Sequence, residues 1–261
     1  MKAYLLAAGY ATRMHPVTRD RPKPLLEVAG APILSHILDG VLGLEGLSEV
    51  VVIGNHRFAT HFAEWARETS APVPVTVLDD GTTNDDDKLG AIGDIGFALE
   101  RVPPKDEPWL VAAGDNLLGF PMRALQREFE VDAGCPLLTV RRVSRDGPSR
   151  YNEVTTEGDR VTGFREKPAD PRTDLAAIAL YFFPAGVAER VGEYLAQGGN
   201  PDAPGHFVAW LVERVPTRAA MIPGEWFDIG SLEGLEHTRR HYRPPASFRE
   251  PRPAGRTTHR G

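Results

Sequence analysis

The sequence predicts an α/β fold built on a doubly wound, mostly parallel β-sheet, and three observations predict it. Short apolar runs alternate with amphipathic, helix-like segments from the first residue to about residue 135. These runs are mostly apolar rather than alternating, as in strands that helices cover on both faces. The chain has 261 residues, of which 41% are hydrophobic, and this suits one α/β domain with insertions.

Four strands and three helices are predicted in the first half. The strand runs are Ala3–Ala7, Glu49–Gly54, Val73–Leu78 and Trp109–Ala113. The helix candidates are Ile33–Leu42, Phe58–Thr69 and Gly90–Glu100. In the first helix Ile33, Ile37 and Val41 share one face, and Pro32 before them supplies a preset φ. Helices between successive strands imply parallel crossovers.

After residue 135 the pattern becomes richer in strands with short connections. The predicted strands are Pro136–Val143, Glu153–Thr156, Val161–Arg165 and Ile178–Phe183. A hairpin turn is predicted at Glu157-Gly158-Asp159, and helices at Gly186–Ala196, Phe207–Arg214 and Ser231–Tyr242. Because no linker separates the halves, we expect an inserted, β-rich lobe that folds onto the first sheet rather than an independent domain.

The predicted organisation is a single domain over residues 1–242, with halves 1–135 and 136–242, followed by a basic tail over 243–261. The tail holds five Arg against one Glu, a charge of about +4, and its composition predicts disorder. The whole chain carries 30 basic and 36 acidic residues, a net charge of −6, which argues against nucleic acid or an anionic membrane as partners.

Compartment and redox class are inferred from the cysteine count and the apolar runs. One cysteine, Cys135, excludes an internal disulfide framework and a cysteine-based zinc cluster. Ala3–Ala8 imitates the apolar part of a signal peptide, but Gly9 and Arg13 interrupt it. No run approaches the roughly 20 apolar residues that span a bilayer. We therefore expect a cytoplasmic protein.

The residues that follow each strand matter most, because ligands of open α/β sheets bind beyond the carboxyl ends of the strands. After the first strand comes a turn of small residues from Ala8, followed by Arg13 and by Lys23 between two prolines. Backbone amides with two mobile cations suit a polyphosphate. The glycine patterns of dinucleotide-binding and P-loop proteins are absent from the sequence, which argues against a dehydrogenase.

Two acids and an acid–base pair complete the candidate site. Asp115 follows the fourth strand and Asp228 precedes the last helix. Carboxylates placed there suit Mg²⁺ on phosphate oxygens. Taken alone, Asp115 is also explained by a common turn, and Asp228 is better explained as a helix cap. Glu166 and Lys167 end a strand, where the lysine suits a phosphate and the glutamate suits a hydroxyl.

Five motifs in this order resemble those of the sugar-phosphate nucleotidylyltransferase family, of the glucose-1-phosphate thymidylyltransferase and mannose-1-phosphate guanylyltransferase type. They are Leu6-Ala7-Ala8-Gly9-x-x-Thr12-Arg13-Met14-x-Pro16 with Pro22-Lys23-Pro24, Gly114-Asp115-Asn116, Glu166-Lys167-Pro168 and Trp226-x-Asp228-Ile229-Gly230. The resemblance runs from residue 1 to about 242. It implies the Rossmann-like fold of the nucleotide-diphospho-sugar transferases.

The resemblance also implies a role for each matching residue. Nucleotide binding falls to the backbone around the first turn, to the phosphate-binding cations and to a second glycine loop: Ala8, Gly9, Thr12, Arg13, Lys23 and Gly90. Asp115 and Asp228 would share Mg²⁺. Glu166 would bind a sugar hydroxyl and Lys167 the sugar phosphate, with Asn152 near the acceptor. The implied catalytic set is Arg13, Lys23, Asp115, Lys167 and Asp228.

The implied activity is Mg²⁺-dependent transfer of a nucleotidyl group from an NTP to a sugar 1-phosphate or related phosphomonoester, which forms an NDP-sugar and pyrophosphate. The alternative is a non-catalytic, nucleotide-sugar-sensing regulatory subunit on the same fold. The retained acids and cations argue against that alternative. The base, the acceptor and any homo-oligomer stay open at this stage.

Three departures from the family pattern concern the site. Ala11 stands where the family usually has Gly, Tyr151-Asn152-Glu153-Val154 replaces an aromatic-Gly-Val-Val stretch, and Ala177-Ile178-Ala179 replaces Asn-Ala-Gly. The last change removes a sugar-binding asparagine, and the second adds an amide and a carboxylate. We therefore expect an acceptor other than plain glucose 1-phosphate.

Two further patterns are interpreted as surface features. Thr82–Lys88 is rich in Asp and is predicted to be a solvated turn rather than a metal site. His237 and His241 have the spacing of paired zinc ligands, but no third ligand is evident, so surface histidines are predicted.

Overall fold

A computed structural model describes residues 1–144 and 151–245. The strands are β1 (Lys2–Leu6), β2 (Glu27–Val28), β3 (Ala31–Pro32), β4 (Glu49–Gly54), β5 (Val75–Asp79), β6 (Trp109–Ala113), β7 (Asn116–Leu118), β8 (Leu137–Arg142), β9 (Glu153–Glu157), β10 (Arg160–Arg165), β11 (Leu175–Phe183), β12 (Arg218–Met221) and β13 (Trp226–Asp228). The α-helices are α1 (Ile33–Leu42), α2 (Ala59–Glu68), α3 (Ala91–Arg101), α4 (Arg123–Glu130), α5 (Val187–Ala196), α6 (Pro204–Val212) and α7 (Leu232–His241).

One nine-stranded sheet organises the molecule, in the order β5-β4-β1-β6-β11-β8-β12-β10-β9. The first four strands are parallel, and β11 and β10 are the two strands of this sheet that run against the others. The predicted α/β fold with a doubly wound, mostly parallel sheet is therefore confirmed.

The two faces of the sheet bury separate apolar clusters. On β1, Leu5 packs on one face with residues of α1, α2 and α4, whereas Tyr4 packs on the other with residues of α3, α5 and α6. Successive side chains of a strand point to opposite faces, so a central strand covered on both faces must be apolar throughout. This is why the strand runs of the first half lack alternation.

The second half continues the sheet of the first half instead of forming a separate layer. β11 pairs antiparallel with β6, and β8 and β12 follow it in the same sheet. The predicted hairpin turn joins β9 and β10, which pair antiparallel at the sheet edge. The lobe expected from the sequence is thus tied to the first half by backbone hydrogen bonds.

The sequence patterns missed the helix α4 and the short strands β2, β3, β7, β12 and β13. In α4 only a narrow stripe, including Leu125 and Phe129, is buried, and this weakens its apolar signal. β12 is four residues long and centred on two alanines, so it carries little strand propensity. Of the predicted basic tail, residues 246–261 lie outside the described residues. Within the described ranges, no helix is both long enough and apolar enough to cross a bilayer.

Candidate active site

An open cleft of about 1890 Å³ crosses the carboxyl ends of β1, β5, β6 and β8. This is the edge at which open α/β sheets bind ligands. The structure brings every predicted site residue to this one cleft: Ala8, Gly9, Thr12, Arg13, Lys23, Gly90, Asp115, Asn152, Glu166, Lys167 and Asp228.

The turn after β1 is fixed by hydrogen bonds on both sides. The Asn55 side-chain amide donates to the Ala8 carbonyl at 2.7 Å, and the Thr18 hydroxyl donates to the Ala11 carbonyl at 2.9 Å. Ala11 itself is left-handed, at φ 48° and ψ 41°. Glycine adopts that conformation without penalty, which gives a physical reason for the glycine preference that the resemblance implies at this position.

Gly114 lets the ends of β1 and β6 approach closely. Its amide donates to the Leu6 carbonyl at 2.8 Å, and a Cβ at this position would lie 2.5 Å from the same oxygen. The following residue, Asp115, therefore stands beside the turn after β1. Lys23, on a short 3-10 turn, donates to Asp115 Oδ2 at 2.5 Å.

Strand pairing brings the second acid to the first. β13 pairs antiparallel with β7, which sets Asp228 opposite Asn116, and the Ile229 amide donates to the Asp115 carbonyl at 3.2 Å. Burial raises the pKa of Asp228, and the Asp115 charge raises it further.

Three cations counteract the rise in the Asp228 pKa. They are Lys23, Lys167 and Arg13, each close enough to favour the ionised carboxylate. Two acids and three cations, far apart in sequence, thus share one electrostatic environment at the carboxyl ends of β1 and β6.

Glu166 and Lys167 follow β10 and line the same cleft. The Glu166 side chain is 13% exposed, and its Oε2 is buried without a hydrogen-bond partner among the described residues. Gly205, in the first turn of α6, leaves the space that this oxygen fills, since a Cβ there would collide with it. Lys167 is exposed and has a left-handed backbone at φ 37°, a conformation that is uncommon and concentrates at functional sites.

In the stretch Tyr151-Asn152-Glu153-Val154, the side chains of Asn152 and Glu153 have different surroundings. Asn152 lines the cleft together with Tyr181, whose buried hydroxyl lies near Asn152 and Glu166 yet makes no hydrogen bond within the described part of the chain. Glu153 instead is buried, pairs with Arg165 at 2.5 Å and accepts the Arg172 amide at 2.9 Å. Of the amide and the carboxylate expected near the acceptor, only the amide lines the cleft.

Gly90 is the residue just before α3 and lines the cleft. Its φ is 80°, and a Cβ would lie 2.5 Å from the Pro201 carbonyl oxygen. The Ala91 amide donates to the Asp202 carbonyl at 3.0 Å, so this segment docks on the loop before α6. Two further acids line the cleft, Asp80 after β5 and Asp94 in α3, and the sequence assigned neither of them to the site because neither belongs to a recognised motif.

Asp85, Asp86 and Asp87 are exposed, and so are His237 and His241. Asp87 accepts the backbone amides of Thr83 and Asn84, at 3.0 Å from Oδ1 in each case, as in a solvated turn. His241 contacts the His237 carbonyl at 2.8 Å. Across the ranges 1–144 and 151–245, no group of three or more His, Cys, Asp or Glu has metal-binding geometry.

The chain is similar in sequence to known nucleotidyltransferases. The profile of the family described as Nucleotidyl transferase matches residues 2–243. The UTP–glucose-1-phosphate uridylyltransferase AglF of Haloferax volcanii is 30% identical over 187 residues, which cover 70% of this chain and 72% of that protein. The mannose-1-phosphate guanylyltransferase catalytic subunit beta of Danio rerio is 26% identical over 88% of this chain and 61% of its own.

A solved structure supports the fold at lower identity. The crystal structure of UDP-glucose pyrophosphorylase complexed with UDP-glucose superposes with a TM-score of 0.76 at 19% identity, covering 92% of this chain and 97% of that one. The chain spans less than two thirds of most of the curated relatives that it matches, 61% in the Danio rerio case. The relatives differ in the nucleotide that their names give, so similarity alone leaves the base open.

Proposed function

The chain belongs to the nucleotidyl transferase family, as its motifs predicted, and we propose that it transfers a nucleotidyl group from an NTP to a sugar 1-phosphate or related phosphomonoester. The products are an NDP-sugar and pyrophosphate. The observation that carries this proposal is the convergence of Asp115, Asp228, Lys23, Arg13 and Lys167 on one cleft edge.

The charges of the site suit this reaction. An oxygen of the acceptor phosphate attacks the α-phosphorus of the NTP in line, the bond to the β-phosphate oxygen breaks, and pyrophosphate leaves. Both reactants are anionic, so the cations Arg13, Lys23 and Lys167 reduce their repulsion and hold them in register. The attacking phosphate is already ionised near neutral pH, and no protein group has to remove a proton.

The donor set fits Mg²⁺. Two carboxylates, Asp115 and Asp228, offer hard oxygen ligands side by side, and Mg²⁺ typically takes one or two carboxylates with phosphate oxygens and water. Bound there, the ion would neutralise phosphate charge. In the chain alone, Lys23 compensates the Asp115 carboxylate, and it is positioned to turn to a phosphate when the acid gains another partner.

The acceptor side supports a hydroxyl-bearing phosphomonoester other than plain glucose 1-phosphate. Glu166 Oε2 and the Tyr181 hydroxyl are buried polar atoms without partners in the described ranges, and Asn152 adds an amide beside them. Buried polar atoms are satisfied by hydrogen bonds in nearly all proteins, so a polar ligand is expected here. Ala177 and Ala179 line the same region and contribute no side-chain hydrogen bond.

The alternative of a non-catalytic sensing subunit makes a different prediction. It requires the nucleotide to bind without turnover. The short Lys23–Asp115 ion pair and the adjacent Asp228 favour catalysis, because a site that only senses a nucleotide sugar has no need for both acids.

Pyrophosphate release tests the proposal. We expect release that depends on Mg²⁺, on one NTP out of ATP, CTP, GTP, UTP and dTTP, and on one acceptor from a panel of sugar 1-phosphates and other phosphomonoesters. If no acceptor of the panel gives pyrophosphate release although the NTP binds, the sensing subunit is favoured. Selective activity with glucose 1-phosphate would refute the expected change of acceptor.

Substitutions test the assigned residues. We expect Asp115→Ala and Lys23→Ala each to lower turnover by at least ~10²-fold, because each removes charge that is placed at the reacting phosphates. Asp106→Ala and Lys105→Ala change exposed residues of the same types outside the cleft and should leave turnover unchanged. Near-wild-type turnover of either cleft variant contradicts the assignment.

A further inference from the structure

The wall of the cleft beside the turn after β1 contains a pair of buried aspartates that the phosphate chemistry does not use. Asp80 follows β5 and is 9% exposed, and Asp94 lies in the first turn of α3 and is 7% exposed. Both line the cleft. Buried acids need partners, so the hydrogen bonds of this pair indicate what the wall can bind.

The two acids share one proton, and it resides on Asp94. Burial raises the pKa of Asp80 as well, but its Oδ1 accepts from the Thr82 amide at 2.7 Å and from the Thr82 hydroxyl at 2.8 Å, and these two donors favour its ionised form. Asp94 hydrogen-bonds to Asp80 and has no such donors. Burial, and then the Asp80 charge, raises the pKa of Asp94 to about 8. At neutral pH Asp94 therefore donates its O–H to Asp80.

The remaining oxygen of Asp94 is an acceptor without a donor. Asp94 Oδ1 is buried and has no hydrogen-bond partner in the parts of the chain that the structure describes. No N–H or O–H donor of the described residues bonds either oxygen of this carboxyl, so with the proton directed to Asp80 the other oxygen has carbonyl character and can only accept. A ligand that satisfies it must present an N–H or O–H group.

The topology indicates which part of a nucleotide reaches this wall. The phosphate-binding cations lie at the ends of β1 and β6, and the acceptor groups Glu166 and Lys167 lie on the far side. β5 is two strands from β1 in the other direction, about 10 Å at ordinary strand spacing. That separation is comparable to the span of a nucleoside from its phosphate chain to its base.

A hydrogen-bond chain links this wall to the turn after β1. The Tyr10 and Thr82 hydroxyls are 2.8 Å apart, and because Thr82 donates to Asp80, Tyr10 donates to Thr82. The acid pair is thus held in a fixed relation to the backbone at Ala8 and Gly9, where the resemblance places the nucleobase.

We propose that the Asp94 carboxyl accepts a hydrogen bond from an exocyclic amino group of the nucleobase, so that the chain selects CTP, ATP or GTP over UTP and dTTP. Uracil and thymine would present carbonyl oxygens, acceptor against acceptor, and their one ring N–H is flanked by carbonyls on both sides. This inference rests on the proposed function, since it assigns the base of the NTP that the same cleft would use.

Binding measured by calorimetry tests the inference directly. Wild-type protein with Mg²⁺ is titrated with ATP, CTP, GTP, UTP and dTTP. We expect the tightest NTP to carry an amino group. Its analogue without that group, UTP for CTP and ITP for either purine, should bind at least about tenfold more weakly, as for the loss of one buried hydrogen bond.

Two variants separate recognition from a structural role. Asp94→Asn has the shape of the protonated acid, since its amide can donate to Asp80 while its oxygen remains an acceptor, so it should keep the preference. Asp94→Leu removes the acceptor and should reduce the preference to less than about threefold. Asp79→Asn changes the adjacent exposed acid, which contacts His56 and lies outside the cleft lining, and should change nothing.

The outcomes distinguish the inference from the proposed function. UTP or dTTP as the tightest NTP, or an undiminished preference in Asp94→Leu, overturns the inference. If Asp94→Leu does not fold, the wild-type panel and Asp94→Asn decide it. Pyrophosphate release is measured in parallel. Turnover that prefers UTP or dTTP supports the proposed transfer reaction and contradicts the base assignment. Selective binding of an NTP with an amino group, without pyrophosphate release, supports the base assignment and contradicts catalysis. Failure to bind any NTP overturns both.

Discussion

Ala11, in the turn after β1, has a backbone conformation that favours glycine. Its left-handed backbone carries a Cβ where glycine would avoid the steric penalty, and the Thr18 hydroxyl holds its carbonyl. The turn is therefore more rigid and more strained than a glycine turn. A glycine at this position would keep the bond from Thr18, because that bond is made to the backbone carbonyl.

Replacing Ala11 by Gly should raise the free energy of unfolding by about 0.5–1 kcal/mol, since the left-handed penalty exceeds the entropy that glycine adds to the unfolded chain. Urea denaturation measures the change. Ala29→Gly is the matched control, because Ala29 is also left-handed, at φ 49°, and lies outside the cleft lining. Both variants should gain stability, and only Ala11→Gly should alter NTP affinity. A loss of stability at Ala11 would contradict the strain.

Asp94 gives the molecule a pH-dependent stability. Its pKa is about 8 in the folded protein against 3.8 as the ordinary value, so between these pH values the folded state holds a proton that the unfolded chain has lost. The free energy of unfolding should therefore fall as pH rises through that window, by up to about 1.4 kcal/mol per pH unit from this group. The contribution is complete below pH 4 and is lost near pH 8.

Asp94→Asn should flatten this dependence and make the variant more stable than wild type near pH 8. Urea midpoints from pH 5 to 8.5 measure it. Asp106→Asn, at an exposed position, should retain the wild-type slope. Equal slopes for wild type and Asp94→Asn would show that Asp94 ionises normally.

At the scale of elements, the site depends on how closely strand ends meet. The approach of β6 to β1 at Gly114 brings Asp115 to Lys23, and the β7–β13 pairing brings Asp228 to the same point. Each acid is carried by a different element, so the geometry of the pair is set by sheet packing rather than by any local motif.

Gly114→Ala should lower stability by about 1–3 kcal/mol, because the added methyl group would lie 2.5 Å from the Leu6 carbonyl oxygen and must push β1 and β6 apart. Turnover should fall with it as Asp115 moves from Lys23. Gly192→Ala in α5, where a Cβ meets nothing within 4 Å, should instead gain about 0.5–1 kcal/mol. If both substitutions gave the same change, the close approach would not be the cause.

At the scale of the molecule, the two halves share one sheet and both apolar clusters. Leu138 and Tyr181 of the second half pack with Tyr4 of the first, and β11 covers the edge of β6. Separating the two predicted halves would therefore expose core residues of both clusters.

We expect one cooperative unfolding transition, with coincident midpoints for far-UV circular dichroism and tryptophan fluorescence. The tryptophans report on both halves, since Trp65 and Trp109 lie in the first and Trp210 and Trp226 in the second. Residues 1–135 expressed alone should not fold, because β6 would lose its β11 partner. Two separated transitions would indicate independent halves.

The sequence by itself determined the fold class, the family and part of the cleft lining. Apolar runs reveal buried parallel strands because both faces of such a strand must be apolar, and ligand-binding residues follow those strands because parallel carboxyl ends share one edge. Short or weakly apolar elements such as α4 and β12 escaped, because the burial that stabilises them comes from distant residues.

The tertiary structure alone decided which residues meet. Glu153 pairs with Arg165, whereas its neighbour Asn152 lines the cleft. The two differ because successive side chains of an extended segment point to opposite sides. The tertiary structure also joined Asp80 to Asp94, fourteen positions apart, into a proton-sharing pair. Burial and proximity change the chemistry of a side chain, and both are properties of the packed chain that no local pattern of letters contains.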